Sequence, residues 1–265
     1  MTAIITGAAG GLGRAMACEC ARRGYSLFLT DISEAALINI KEGITRRYGA
    51  DVQIMPCDLT DPASVDAMLE HMDSFGIIPR MLLNIAGVDF EGSFLGRERR
   101  RIDDIVQLNI AATLRLTHAA LERKPQGLPL FIVNVSSLAS MYPIPLKATY
   151  AASKRFLFDF SIALGQELKG DNVNVLALCP GGLATTSEAI AGITSQGFWG
   201  NVTTNKLEKV ARRTIARALL GRRIYIPGAL NRLLSVAGRL VPGTWIASLL
   251  HGRWAAAQKK WLEGA

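Results

Sequence analysis

Histidine and cysteine are scarce, three and four among 265 residues. The histidines, His71, His118 and His251, are scattered and form no HExxH. The cysteines, Cys18, Cys20, Cys57 and Cys179, include no CxxC. No metal site is expected from such a set, and the cysteines read as reduced core thiols of a cytoplasmic protein. No window of about 18 residues is free of both charge and proline, so no transmembrane helix is expected. The opening MTAIITGAAGG has neither a basic start nor a long apolar run, and it is not read as a secretory signal. Charged residues make up only 20% of the chain and apolar ones 49%, which excludes a disordered or low-complexity protein.

Acidic residues are missing mainly from one end. From Lys206 onward there are 12 Lys and Arg against 2 Asp and Glu, whereas residues 1–205 hold 18 against 20. The net charge of +8 therefore belongs to the C-terminal part. Such a surplus is either a solvated face or a contact for an anionic partner or membrane surface. No basic cluster falls in a nucleic-acid reading motif, so nucleic acid is not an expected partner.

Short β-rich runs alternate with helical stretches. The strand candidates are AIIT (3–6), SLFLT (26–30), DVQIM (51–55), MLLNIA (81–86), LFIVNVS (130–136), VNVLALC (173–179) and RIYI (223–226). Helices are expected at about 11–23, 33–48, 62–75, 99–124, 150–169 and 206–220. Strands that are apolar almost throughout belong in a parallel sheet covered on both faces. The alternation therefore predicts right-handed βαβ units and an α/β, Rossmann-type, doubly wound sheet of seven mostly parallel strands. The alternation ends at Ile226, so residues 1–226 form one domain on this reading, and 227–265 a helical appendage of it.

The first strand runs into TGAAGGLG, residues 6–13, where Gly7, Gly11 and Gly13 follow the spacing TGxxxGxG. Glycines there let backbone approach a pyrophosphate, and the N-terminus of the next helix offers free N–H groups. Asp31 ends the second strand, where a carboxylate accepts bonds from ribose hydroxyls and repels a 2′-phosphate. No Lys or Arg stands at Gly10 or Ile32 to oppose it, which favours NAD(H) over NADP(H). Asp31 also suits a cap for the helix that begins near Ser33.

Tyr150 and Lys154 stand four apart in TYAASKRF, on one face of a helix. A neighbouring ammonium favours an ionised phenol, and such a Tyr passes a proton to or from an alcohol or ketone oxygen. Ser137, after the strand LFIVNVS, supplies a hydroxyl for the same oxygen.

In this combination the chain resembles the short-chain dehydrogenase/reductase family, in its compact branch, over roughly residues 3–226. The motifs run in the family's order: TGAAGGLG, Asp31, CDLTD around Asp58, NIAG (84–87), LNI with Asn109, VNVSS, YAASK and PGGLAT (180–185). The resemblance implies Tyr150 as acid–base, Ser137 as the group that orients the substrate oxygen, and Lys154 as partner of Tyr150 and of the nicotinamide ribose. Asn109 is implied to hold a water that links Lys154 to solvent. Gly7, Gly10, Gly11, Leu12 and Gly13 are the cofactor turn, and Asp58 with Leu59 meets the adenine. Asn84, Ala86 and Gly87 line the cofactor's middle; Pro180, Gly181, Leu183 and Thr185 meet its nicotinamide half. The sequence departs from the family's pattern at Ile85, where a second Asn is usual, and at Ser140, where Gly is frequent. Only Met1 and Thr2 precede the first strand, fewer than family members usually carry, so the native start is expected upstream. Relatives that reduce enoyl groups separate Tyr and Lys further; the YxxxK spacing points to alcohol–carbonyl interconversion.

The segment 186–205 carries Ile190, Phe198 and Trp199 between glycines, and it is either a lid over a bulky apolar substrate or an ordinary packed helix. The tail adds Leu230, Leu233, Leu234, Val236, Leu240, Trp245, Leu249 and Trp254, and Pro242-Gly243 divides it into two short helices. It is expected to cover the pocket mouth, pack on a partner subunit or lie on a membrane. A similar tail in relatives acting on steroids and long acyl chains makes a hydroxysteroid the expected substrate, with a 3-oxoacyl or other carbonyl compound, or a silent nucleotide sensor, as alternatives. Phe156, Leu157, Phe158, Phe160 and Ile162 wrap more than one face of their helix, which predicts a homo-oligomer, a tetramer or a dimer.

Overall fold

The computed structural model describes residues 1–183 and 205–252. Seven strands form one sheet: β1 (Thr2–Thr6), β2 (Ser26–Asp31), β3 (Val52–Pro56), β4 (Pro79–Asn84), β5 (Leu130–Val135), β6 (Val173–Leu178) and β7 (Ile224–Tyr225). Their order is β3-β2-β1-β4-β5-β6-β7, and every neighbouring pair is parallel. The helices are α1 (Gly11–Arg22), α2 (Glu34–Tyr48), α3 (Pro62–Ser74), α4 (Arg99–Asp104), α5 (Ala112–Glu122), α6 (Ala148–Glu167), α7 (Leu207–Leu219) and α8 (Ala229–Leu240).

The near-continuous apolar runs are explained by burial on both faces of the sheet. Ala3 and Ile5 of β1, Met81 and Leu83 of β4 and Val133 of β5 face a core shared with α1, α2 and α7. The alternating positions Ile4, Leu82 and Ile132 face a second core with α3 and α5. On α3, Val65, Met68 and Met72 recur at helical spacing to fill it. Asp61 caps α3 by accepting from the Ala63 N–H, with Pro62 at the first helical position.

One expectation is corrected. The single helix expected at 99–124 is three pieces, with a π-helical turn at Ile105–Ala111 between α4 and α5. No Gly or Pro marks that turn, so side-chain periodicity alone did not reveal it. The described part of the tail packs on the domain. Asn231 and Ser235 of α8 are buried, and Leu234 packs on a third core of Leu138, Met141, Phe158, Ala177 and Cys179. The expected break holds: α8 ends at Leu240, and a helical segment resumes at 243–252.

Candidate active site

The parallel order places the carboxyl ends of all strands on one edge, and the order reverses between β1 and β4. A crevice outside that point is where such sheets bind ligands. Along it lie the glycine turn after β1, Asp31 at the end of β2, residues 85–88 after β4, Ser137 after β5 and Pro180 after β6.

The glycine turn is made for close backbone approach. Gly7 has φ +63°, and a Cβ there would lie 2.9 Å from the Ala86 backbone. A Cβ on Gly13 would lie 2.1 Å from the Gly7 carbonyl oxygen, so no side chain fits. Gly10 caps α1 with no side-chain bond to its first turn, which leaves those N–H groups to an anionic ligand. The Ala9 N–H donates to Asp31 Oδ2 at 3.0 Å and the Ser33 N–H to Oδ1 at 3.3 Å, so this carboxylate ties the turn to the end of β2. These residues fit the dinucleotide that the fold implies: a side-chain-free cradle for the pyrophosphate, with a carboxylate beside the ribose position.

The chemical residues converge next to that cradle. Tyr150 and Lys154 lie on α6, and the Lys154 Nζ stands 5.7 Å from the Tyr150 ring centroid. Lys154 is buried; its Nζ donates to the Val135 carbonyl at 2.9 Å, and its own carbonyl accepts from Ser136 Oγ at 2.7 Å. Burial pulls this ammonium down to about 8, opposed by Asp89 and then by Cys179. Burial raises the Tyr150 phenol above its ordinary value, Asp89 raises it further, and a hydrogen bond with Ser137 acts the other way. Ser137 and Asp89 thus act on the phenol directly, beside the Lys154 expected from the sequence.

Asn109 sits in the π turn with no exposure. Its Oδ1 accepts from the Val88 N–H at 2.9 Å, and its Nδ2 donates to the Val88 carbonyl at 3.0 Å and to Ser153 Oγ at 3.1 Å. Ser153 Oγ in turn donates to the Tyr150 carbonyl at 2.8 Å. The side chain of Asn109 therefore fastens the strand-end loop to α6. A Cβ on Gly87 would lie 2.8 Å from Asn109 Oδ1 and 3.2 Å from Lys154 Nζ, so glycine is what lets these groups meet.

The other expected site residues are placed as follows. Asn84 is buried at the end of β4, and its Nδ2 donates to Thr117 Oγ1 and Asn134 Oδ1 at 3.1 and 2.8 Å, which ties β4 to α5 and β5. Leu12 and Leu59 belong to the core, which leaves only their backbone for a ligand. Asp58 is exposed, its Oδ1 accepting from the N–H and Oγ1 of Thr60, and these bonds hold its carboxyl below the usual range. Ala86 receives support from Thr6, whose Oγ1 accepts its N–H at 3.1 Å. Pro180 is buried and its carbonyl accepts from Leu138; Gly181 is partly exposed, and Leu183 packs on the first core. Thr185, Ile190, Phe198 and Trp199, and with them the expected lid, lie outside the described residues.

Sequence reasoning missed an ion cluster beside the phenol. Lys147, three residues before Tyr150, pairs with Asp89 at 2.6 Å and Glu91 at 3.4 Å, and its Nζ stands 5.7 Å from the Tyr150 ring centroid. Leu146, just before it, holds φ +65°, and its carbonyl accepts from the Gly92 N–H at 2.8 Å. A small cavity of about 30 Å³ joins the two loops, lined by Phe90, Phe94, Arg97, Leu146, Lys147 and Thr149 among others.

Residues 1–192 match the family model described as short chain dehydrogenase. The chain is 32% identical over 177 residues to a very-long-chain 3-oxoacyl-CoA reductase of Laccaria bicolor, covering 65% of this chain and 52% of that one. It is 31% identical over 186 residues to 17-beta-hydroxysteroid dehydrogenase type 3 of Mus musculus, covering 69% and 60%. These matches span between half and two thirds of the relatives' own length. A short-chain dehydrogenase from Sphingobium yanoikuyae in complex with NADPH superposes with a TM-score of 0.76 at 25% identity, over 89% of this chain and 92% of that one.

Proposed function

Because the chain belongs to the short-chain dehydrogenase family, we propose that it interconverts a secondary alcohol and a ketone with NAD(H) as the preferred cofactor. The observation that carries this reading is the convergence of Ser137, Tyr150 and Lys154 beside a side-chain-free glycine turn. The bound dinucleotide supplies or accepts the reducing equivalent. The chain's own part is to hold and move a proton. Ser137 donates a hydrogen bond to the substrate oxygen; Tyr150 as the phenol gives that oxygen its proton in reduction, and as the phenolate takes it back in oxidation. Lys154 stabilises the phenolate that reduction leaves, and Asn109 and Ser153 keep α6 in register with the loop after β4.

The preference for NAD(H) rests on the Asp31 carboxylate, which would repel a 2′-phosphate. The substrate class we infer is bulky and apolar. A hydroxysteroid is one form, supported by the 17-beta-hydroxysteroid dehydrogenase relative; a long 3-oxoacyl thioester is the second, supported by the very-long-chain 3-oxoacyl-CoA reductase relative.

Turnover with steroid and 3-oxoacyl ketones, each with NADH and NADPH, tests the reading. We expect NADH oxidation with at least one ketone class, and Tyr150→Phe to lower kcat by at least about 100-fold while NADH still binds. Wild-type turnover in Tyr150→Phe overturns the mechanism. A wild-type preference for NADPH overturns the role of Asp31. No turnover with any ketone while NADH binds favours a nucleotide sensor of the same fold.

A further inference from the structure

The outer face of the C-terminal helices has no partner among the described residues. On α8 the inward positions Asn231, Leu234, Ser235 and Gly238 are taken up by the protein. The opposite positions Leu233 and Leu240 are 66% and 79% exposed. Beyond the break, Trp245 and Leu249, four apart on the segment 243–252, are 72% and 68% exposed. Val236 and Val241, between them in sequence, are also exposed, so apolar exposure recurs along both pieces. Such a concentration of exposed apolar side chains marks a contact surface, and single scattered ones do not.

The charge of these two helical pieces selects the partner. Residues 229–252 include Arg232 and Arg239 and no Asp or Glu. A symmetric contact between two copies would set the same patch against itself, and two patches of one sign repel. An acyl or steroid substrate is too small to cover two helices. A surface of anionic phospholipid headgroups over hydrocarbon matches both features: apolar side chains enter the acyl boundary, Trp245 suits the headgroup depth, and the basic excess faces phosphate.

We propose that α8 and residues 243–252 dock this protein on anionic phospholipid membranes, peripherally, through Leu233, Leu240, Trp245 and Leu249. No helix of the described residues is long and apolar enough to cross a membrane. The surface lies on the outward side of the helix whose inward side packs on Leu138 and Met141, directly after Ser137. Docking therefore brings the bilayer within about one helix diameter, roughly 10 Å, of the segment that carries Ser137.

The test uses the full chain and flotation with vesicles of phosphatidylcholine alone and of phosphatidylcholine mixed in equal parts with phosphatidylserine. The expected result is flotation with the mixed vesicles, several-fold less with phosphatidylcholine, and a decline as salt is raised. The triple variant Leu240→Ser, Trp245→Ser, Leu249→Ser is expected to keep ketone turnover and lose most of the flotation. Retained turnover shows that the variant is folded. Should it not fold, Trp245→Ser alone is compared by quenching of bound protein with lipid-borne quenchers. Absence of flotation with both vesicles overturns the proposal, as does full flotation of the triple variant. A wild-type oligomer that the triple variant splits in sedimentation, without lipid, assigns the surface to a second copy and overturns it as well.

Discussion

Asp89 is the residue with the widest reach in the site. Its carboxylate favours the protonated forms of both Tyr150 and Lys154. The charged groups around the phenol are Lys147, Asp89 and Glu91 on the loop side and Lys154 from α6. Removing one negative charge makes both catalytic groups easier to deprotonate. In Asp89→Asn the alkaline limb of the kcat/KM profile, set in the free enzyme by groups such as Lys154 at about 8, is expected to move to lower pH. Lys147 keeps Glu91 as partner in that variant, so the loop should stay in place. A profile that moves to higher pH contradicts the assignment. This residue escaped sequence reading because Asp89 and Lys147 are 58 positions apart and belong to no motif. Tyr150, Lys154, Ser137 and the glycines were legible because each needs a fixed residue type in a fixed local frame. The bonds of Asn84 to Thr117 and Asn134 were not legible, because its position at a strand end says nothing of which way its amide turns.

Among the elements, the strands were legible to within about two residues at each end, since burial on both sheet faces leaves an apolar run with little ambiguity. The π turn was not, since an extra residue in a turn changes no composition. Nor was the docking of α8, which depends on one small residue. A Cβ on Gly238 would lie 2.6 Å from Tyr142 Cδ1. Gly238→Ala must therefore push Tyr142 or α8 away, and overpacking of this kind costs about 1–3 kcal/mol. Tm is expected to fall by several degrees in scanning calorimetry, where exposed alanines in a helix would instead raise it. The same strain reaches Leu138–Met141, so kcat should drop along with Tm. An unchanged Tm would show that α8 is held elsewhere.

For the whole molecule, assembly and folding follow from which surfaces remain. Leu157 and Phe158 of α6 are buried in this chain, whereas Phe156 is 40% exposed and stacks on Phe160 at 6.0 Å. We propose that this aromatic pair is an oligomer contact. Phe156→Glu should then shift sedimentation equilibrium toward the monomer at micromolar protein while leaving the fold intact; a wild-type monomer refutes the contact outright. The order of the sheet has a further consequence, for synthesis. Thr2 of β1 lies beside Ser26 on one side and Pro79 on the other, so the first strand made cannot complete its pairing until the fourth has left the ribosome. Parallel strands allow no local hairpin to bridge that interval. The growing chain must carry a bare, apolar strand edge through the translation of three helices, which makes folding slow and exposes the nascent protein to aggregation until β4 arrives.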